Sequence, residues 1–200
     1  MIILDPDLDP DPTLDTLPTK SASALDSAKS ERMRRLPSAR TLGRFLSAAQ
    51  AALRLRGQVT VLLTTDEAIR RLNRRFRGKN KTTDVLSFPA GGPVAAEIAG
   101  DLAISVPTAL RQAGEQGHAL AVEIKVLILH GLLHLAGYDH EADRGQMARR
   151  ERLLRARLRL PQGLIERASA QANPAPKRPP AKIPAKKRAA AERPARGARP

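Results

Sequence analysis

The segment 119–136 restricts the fold of this chain more than any other part of it. It reads ALAVEIKVLILHGLLHLA, and it is apolar on nearly every side over a helical length. A surface helix carries one apolar stripe, whereas a helix that is apolar all round is buried among other elements. Its longest apolar run, near 126–135, is far short of the roughly 18 residues that span a bilayer. The segment therefore predicts a central buried helix rather than a membrane anchor.

Shorter patterns predict the elements around this helix. Helices are expected from the N-cap Ser38 to about Leu55, from Thr65 or Asp66 to about Arg75, from Pro107, and over 141–159. Strands are expected over 58–64, 83–88 and 101–106. The inner stripe of the last helix is expected to consist of Met147, Leu153, Leu154 and Leu158. These elements predict an α+β fold, a single small mixed sheet packed with helices.

The two ends of the chain differ in composition from the part between them. The chain has 200 residues, and residues 1–36 form an acidic, proline-rich segment with an expected short edge strand at 2–4. Residues 169–200 form a basic Pro/Ala-rich tail that is expected to be disordered, and nine Lys and Arg face one Glu within 177–200. This tail either attracts phosphate backbones or is a solvated extension. One folded domain is expected over 37–168.

Composition excludes several classes of site. The chain has no cysteine, so disulfides and thiolate metal sites are excluded, and any metal must be held by His, Asp or Glu. The first residues carry acid and proline instead of the basic and apolar runs of a secretory leader, so a cytoplasmic location is expected. The formal net charge of +15 indicates a polyanionic partner, most simply a nucleic acid.

Three of the four histidines lie in the stretch HGLLHLAGYDH at 130–140. His130 and His134 are one helical turn apart on the same face, and the turn expected at Gly137 brings His140 towards them. Three neutral imidazoles suit one Zn²⁺ per chain, with a fourth position open as in catalytic sites. Nickel or copper would accept the same nitrogens, and hydrogen-bonded core histidines are the alternative. The expected fold is therefore zincin-like, with the metal ligands carried by the central helix.

The spacing HxxxHxxGxxH overlaps that of the metzincin proteases, HExxHxxGxxH. In those proteases the Glu after the first His is the general base. This chain has Gly131 there, so a metallopeptidase is the less favoured interpretation.

A run of positive charge at 70–81, RRLNRRFRGKNK, precedes the strand TDVLSF. It contains no acidic residue, and like charges at this density repel one another unless an anion compensates them. A phosphate-binding role is therefore favoured over a solvated helix face. Phe76, within the run, is expected in the core rather than as a base-stacking ring. The predicted substrate-binding residues are Arg70, Arg71, Arg74, Arg75, Arg77, Lys79 and Lys81.

Three stretches resemble a known family. FRGKNKTTDVLSFP at 76–89, GDLAIS at 100–105 and HGLLHLAGYDH at 130–140 look like the signature blocks of the bacterial YbeY family of endoribonucleases. The resemblance implies a zinc protein that processes ribosomal RNA, notably the 3′ end of the small-subunit rRNA, and that acts in ribosome quality control. It implies the zinc ligands His130, His134 and His140, and a functional role for Arg77. Thr82 departs from the proline of many relatives.

The resulting prediction is a zinc-dependent, single-strand endoribonuclease with Arg77 and His134 as catalytic residues. Its expected partners are ribosomal RNA and the small ribosomal subunit, with ribosomal proteins and an assembly GTPase as further candidates and no membrane. Asp139 and Glu141 are candidate proton acceptors or hydrogen-bond partners of the ligand imidazoles, and for Asp139, beside a turn, a structural hydrogen-bond acceptor is the favoured role. Attack by water or by the RNA 2′-OH is left open. The alternative is an RNA-binding ribosome assembly factor in which the zinc is structural.

Overall fold

A computed structural model describes residues 1–8, 35–92, 97–140 and 142–161 of the chain. Within this part, four strands and five helices follow one another. The strands are β1 (Ile2–Leu4), β2 (Gln58–Thr64), β3 (Val85–Pro89) and β4 (Ile98–Ser105). The helices are α1 (Ala39–Leu53), α2 (Asp66–Arg77), α3 (Val106–Gln116), α4 (Leu120–Leu135) and α5 (Gln146–Arg157).

The strands form one mixed sheet in the order β1-β2-β4-β3. β2 is parallel to both β1 and β4, with Val61 beside Ile2 and Leu102. β3 is antiparallel to β4 and forms the edge of the sheet opposite β1, with Ser87 beside Leu102. The segment from α2 to β3 connects β2 with β4 along the chain, and β2 and β4 are neighbouring parallel strands. α2 therefore lies on the connection between two neighbouring strands.

The inner face of the sheet, defined as the face that packs against α4, carries the larger core. Because side chains alternate along a strand, Val59, Val61 and Leu63 of β2 all point to this face, and each is at most 1% exposed. α4 packs between this face and the helices α1, α3 and α5. Twelve of the sixteen residues of α4 are buried, which is the burial expected for a helix that is apolar all round.

The outer face of the sheet carries α2. A smaller cluster consists of Ile69 from α2 with Leu86 and Ala103 from the sheet, and Leu72 and Phe88 pack against it. Asp66, at the start of α2, accepts hydrogen bonds from Thr108 (2.6 Å) and Arg111 (3.0 Å) and also from Ser105. Burial raises the pKa of the Asp66 carboxyl, but these hydrogen bonds outweigh it and the net effect is a lowered pKa. The start of α2 is thereby tied to α3.

Side chains and prolines set where several helices begin. Ser38, Thr65 and Ser105 cap α1, α2 and α3 by accepting the backbone N–H three residues later. Pro107 lies in the first turn of α3, where its missing N–H removes no helical hydrogen bond.

The predicted α+β class, with one small mixed sheet and packed helices, is confirmed. Three details were wrong. α5 begins at Gln146 instead of 141, because the preceding residues form turns. Leu153, expected on its inner stripe, is 67% exposed, whereas Met147 and Leu154 are buried. β4 begins at Ile98, three residues before the predicted start. The predicted domain limit at 168 and the tail 169–200 lie outside the described residues.

No single helix of the described part is long and apolar enough to cross a membrane. The bent pair α3 and α4, with 112° between its helices, passes that test only when its two members are taken together.

Candidate metal centre and basic helix

The end of α4 places two imidazoles side by side. Nε2 of His130 and Nε2 of His134 are 3.2 Å apart, and the two ring centroids are 4.9 Å apart. His130 is 8% exposed, because its helix is covered by the sheet and by other helices. The four-residue spacing therefore brings both rings to one spot, as the sequence predicted.

The chain after α4 returns His140 to the same place. Gly137, at a φ of +87°, takes the left-handed conformation that reverses the chain, and its N–H donates to the carbonyl of His134 (3.0 Å). Tyr138 then packs against the larger core. Asp143 accepts three backbone N–H bonds at 2.6–2.9 Å from residues 145–147, which stiffens the turn before α5. Between these two fixed points, the ring of His140 lies 5.5 Å from that of His130 and 5.3 Å from that of His134.

A buried ion pair on α5 holds His130 from behind. Nδ1 of His130 lies 3.1 Å from Oε2 of Glu151, and Arg155, which is 1% exposed, pairs with the same carboxylate. Burial raises the pKa of Glu151, but the hydrogen bond to His130 and the charge of Arg155 outweigh it and lower the pKa. Glu151 is therefore an ionised acceptor at neutral pH, so Nδ1 of His130 donates to it. The lone pair of Nε2 then points towards the other two imidazoles.

The donor set fits a divalent metal ion. One nitrogen from each of His130, His134 and His140 can be chosen so that all three lie within 4.8 Å of one another. Burial, followed by the neighbouring imidazoles, lowers the pKa of His134 to about 4, so this ring is neutral at physiological pH. Nδ1 of His140 is buried and has no hydrogen-bond partner within the described residues. Neutral nitrogens with unused lone pairs are what a metal ion requires.

Gly131 directly follows His130, the first histidine of the motif. A Cβ added there would lie 2.7 Å from Cδ2 of Leu102 and 3.3 Å from Oγ of Ser87, so the residue faces the sheet. Ser87 also donates to the carbonyl of Gly131 (3.4 Å). The position where a metzincin carries its general base is therefore packed against β3 and β4, and it has no side chain.

The predicted basic residues lie on α2 and in the loop after it, and all seven are exposed. Arg77 is the last residue of α2, two residues beyond the predicted helix end at about Arg75, and Gly78 ends the helix in a left-handed conformation. Within the described part of the chain, Arg71 is the one member with an ion pair, to Glu67 at 3.5 Å. A groove of about 610 Å³ runs beside the helix. Its lining residues are Leu62, Ala68, Arg71, Leu72, Arg74 and Arg75.

The edge strand β3 separates the histidines from the basic helix. Ser87 points to the inner face and contacts Gly131, next to His130. Phe88, the following residue, points to the outer face and meets Phe76 near the end of α2, with ring centroids 5.1 Å apart. β3 is the edge strand of the sheet, so these two contacts lie on the two faces of one edge strand.

Sequence reasoning missed two residues and misplaced one. Glu151 and Arg155 were not identified, because a Glu and an Arg four residues apart on a charged helix usually form a surface pair. Phe76 was expected in the core and is 57% exposed. Of the two candidate proton acceptors, Glu141 lies outside the described residues. For Asp139 the role stays a prediction, although the charge of its carboxylate acts to raise the pKa of His134.

The family model and two known proteins that this chain is similar to carry the same name. The family model of Endoribonuclease YbeY matches residues 26–159. The Endoribonuclease YbeY of Koribacter versatilis is 52% identical over 141 residues, which cover 70% of this chain and 91% of that protein. The protein of the same name from Solibacter usitatus is 58% identical over 106 residues, covering 53% of this chain and 69% of the relative.

A solved structure was also compared with the fold. The solution structure of TM1509 from Thermotoga maritima covers 74% of this chain and 96% of its own, with a TM-score of 0.45 and 24% identity. The family assignment depends on the sequence matches and not on this likeness.

Proposed function

The chain belongs to the YbeY endoribonuclease family, and on that premise we propose that it is a zinc-dependent endoribonuclease that cuts single-stranded RNA. The observation that carries this proposal is a pair of sites on the two sides of the edge strand β3. His130, His134 and His140 cluster on one side, and the exposed basic helix lies on the other. The first region offers a site for a metal ion, and the second offers a surface for phosphates. A metal-dependent nuclease uses both kinds of site on one substrate.

Zinc is the metal favoured by three imidazoles, and among the described residues the cluster contains no carboxylate or thiolate. Held by these three rings, the ion would supply Lewis acidity to a phosphate oxygen and would lower the pKa of a bound water. The protein's own part is to keep the three rings neutral and correctly oriented. Burial keeps the ring of His134 neutral, and the hydrogen bond to Glu151 orients the ring of His130.

Arg77 is the proposed partner of the reacting phosphate. A guanidinium offers two parallel donors to phosphate oxygens, and its attraction increases as negative charge develops on them in the transition state. Arg77 ends α2, where the helix dipole also favours a cation, and its side chain is exposed and available to RNA. The remaining basic residues of the run position the RNA backbone without reading its sequence.

The proposed substrate is ribosomal RNA, with maturation of the small-subunit 3′ end and ribosome quality control as the processes served. The proposed partners are the small ribosomal subunit, its proteins and an assembly GTPase, in the cytoplasm. A net charge of +15 supports a polyanionic substrate of this kind. Gly131, closed against the sheet, argues against a metallopeptidase.

The test is cleavage of an RNA that carries the small-subunit 3′ precursor end, by protein of measured zinc content. Wild type is compared with His134→Ala, with Arg77→Glu and with Arg157→Glu. The last variant is the matched control, because Arg157 is an exposed arginine that ends α5 as Arg77 ends α2. Wild type and Arg157→Glu are expected to hold one zinc and to cut the RNA. His134→Ala should lose zinc and activity, and Arg77→Glu should lose activity while it keeps zinc.

Two results would contradict the proposal. If wild type binds the RNA and holds zinc without cutting it, the chain is an RNA-binding assembly factor with structural zinc. If His134→Ala loses its zinc and still cuts at the wild-type rate, the metal is not part of the reaction.

A further inference from the structure

Phe76 is the one exposed ring among the chain's three phenylalanines and one tyrosine. Its exposed fraction is 57%, whereas Phe45, Phe88 and Tyr138 are all partly buried. A large apolar side chain that is left in water gives up roughly 1.5–3 kcal/mol of burial. This ring also lies within a run of seven exposed cations, where solvation would favour a polar residue.

Two neighbouring side chains contact the ring of Phe76 and leave more than half of the residue exposed. Phe88 meets it in a T-shaped arrangement, with an interplanar angle of 68°, and Phe88 is itself packed against the smaller core cluster. The guanidinium carbon of Arg75 lies 5.3 Å from the centroid of the Phe76 ring. An aromatic face beside a guanidinium plane is the combination with which proteins hold unpaired bases.

We propose that Phe76 is a stacking platform for one unpaired base of the RNA substrate, with Arg75 and Arg74 binding the phosphates beside it. The proposal rests on the RNA-cleaving function proposed above and adds the residue that would hold an unpaired base. A base within a duplex is stacked on both sides and has no free face for the ring. Phe76 therefore selects single-stranded RNA, whereas the cations alone attract single and double strands alike.

The position of the platform relative to the histidines supports this assignment. Phe76 contacts Phe88 on the outer side of β3, and Ser87 contacts Gly131, beside His130, on the inner side. A strand of RNA held by one base on Phe76 would pass the free edge of β3 to reach the histidines. The stacked base then fixes which phosphodiester arrives there.

Phe45 provides a matched control within the same chain. It also has a cation near its ring, Lys125 at 5.8 Å, but it lies on α1 and packs against the larger core. The same substitution therefore removes one phenyl ring at either position. The two positions differ in their exposure and in the neighbouring charge.

The first experiment measures binding of zinc-loaded, full-length protein to a single-stranded 2′-O-methyl RNA of roughly 12 nucleotides, over a range of salt concentrations. Phe76→Leu keeps an apolar contact with Phe88 and is expected to weaken binding by about 5- to 100-fold, the usual loss for one stacked base. Its salt dependence should equal that of wild type, because no charge is removed. Arg75→Gln should reduce the salt dependence, and Phe45→Leu should change neither quantity.

The second experiment uses the absence of tryptophan from the chain. Phe76→Trp introduces a single indole that can stack on a base, so it should retain affinity and its fluorescence should be quenched by the single-stranded RNA. When one abasic position is moved through the same RNA, quenching should be weaker at one of its locations. A duplex should give little quenching. The control Phe45→Trp should show no quenching with any of the three.

The outcomes separate this proposal from the one on which it rests. If wild type and Phe76→Leu bind and cut single-stranded RNA equally, the stacking role is wrong and the nuclease function stands. If wild type neither binds nor cuts RNA, both proposals are wrong. Reduced binding by Phe76→Leu together with quenching of Phe76→Trp is the result that supports the platform.

Discussion

The two faces of the sheet carry opposite kinds of functional residue. On the inner face, His130, Glu151 and Arg155 are all less than 10% exposed and are held by packing and by one another. On the outer face, the cations of α2 are exposed, and one exposed ion pair, Glu67 with Arg71, is described among them. The inner residues have a fixed geometry, and the outer residues are free to follow a flexible ligand.

This difference suggests a division of labour between recognition and chemistry. A metal ion requires its ligands within a few tenths of an ångström of their places, which only a packed core supplies. A phosphate backbone requires charge more than geometry, so exposed arginines on one helix suffice. Substitutions of the buried residues on the inner face should therefore change stability and metal binding, and those of the exposed cations of α2 should change RNA binding or cleavage without changing stability.

The largest effect is expected at Glu151. Glu151→Ala removes the carboxylate from Arg155, whose charge is then left in a site that is 1% exposed. Breaking a buried pair in this way destabilises a protein by about 3–5 kcal/mol. The free energy of unfolding in urea, measured on metal-free protein, checks this value.

A double variant separates stability from metal positioning. In Glu151→Ala with Arg155→Met the buried charge of Arg155 is removed as well, so most of the lost stability should return. Zinc affinity should stay about 10- to 100-fold below that of wild type in both variants, because His130 has lost the acceptor of its Nδ1–H. Wild-type zinc affinity in the double variant would show that Glu151 serves stability and not the metal site.

The next effect is expected at Gly131. In Gly131→Ala the new methyl group would meet Leu102 at 2.7 Å, and overpacking of this kind costs about 1–3 kcal/mol. Gly114→Ala is the control, since that helical glycine has no neighbouring atom within 4 Å of an added Cβ. It should stabilise α3 by up to about 1 kcal/mol, because alanine favours a helix. Equal unfolding midpoints for the two variants would contradict the close contact of α4 with the sheet.

A smaller effect is expected from the titration of His134. Its pKa falls from an ordinary 6.5 to about 4 in the folded chain, so the unfolded chain takes up a proton first. The contribution of His134 to the stability of the metal-free protein should therefore be full above pH 6.5, decline as the pH falls to about 4, and decline no further below that. The loss should be roughly 1–2 kcal/mol, less than the full shift because the ring is partly solvated. In His134→Gln this part of the pH dependence should be absent.

The sequence predicted the inner face better than the outer face. The apolar helix and the H-x3-H-x5-H spacing identified α4 and the three histidines, because helical periodicity and a glycine turn are local properties. Glu151 escaped notice because its partner His130 is 21 residues away, and only the packing of α5 on α4 brings the two together. A charged pair at helical spacing looks the same in sequence whether it is buried or exposed.

On the outer face, the prediction for Phe76 was wrong. Phe76 was assigned to the core because aromatic residues in a chain with few of them are usually buried. Among the described residues, α2 is the helix that packs on this face, and Phe76 near its end is exposed beyond the cluster formed by Ile69, Leu86 and Ala103. How much of a sheet face a helix covers depends on tertiary arrangement, which residue patterns along α2 do not record.

The smallest effect on stability is expected on the outer face. Arg74→Gln removes one exposed charge from the groove beside α2, and exposed substitutions usually change the free energy of unfolding by less than about 0.5 kcal/mol. RNA affinity should nevertheless fall, and the slope of log affinity against log salt should become less steep by roughly 0.7, the value for one single-strand phosphate contact. Arg152→Gln, an equally exposed change on α5, should alter neither stability nor slope. A loss of stability without any change in slope at Arg74 would mean that the cations of α2 hold the fold together, and the contrast between the two faces would then be wrong.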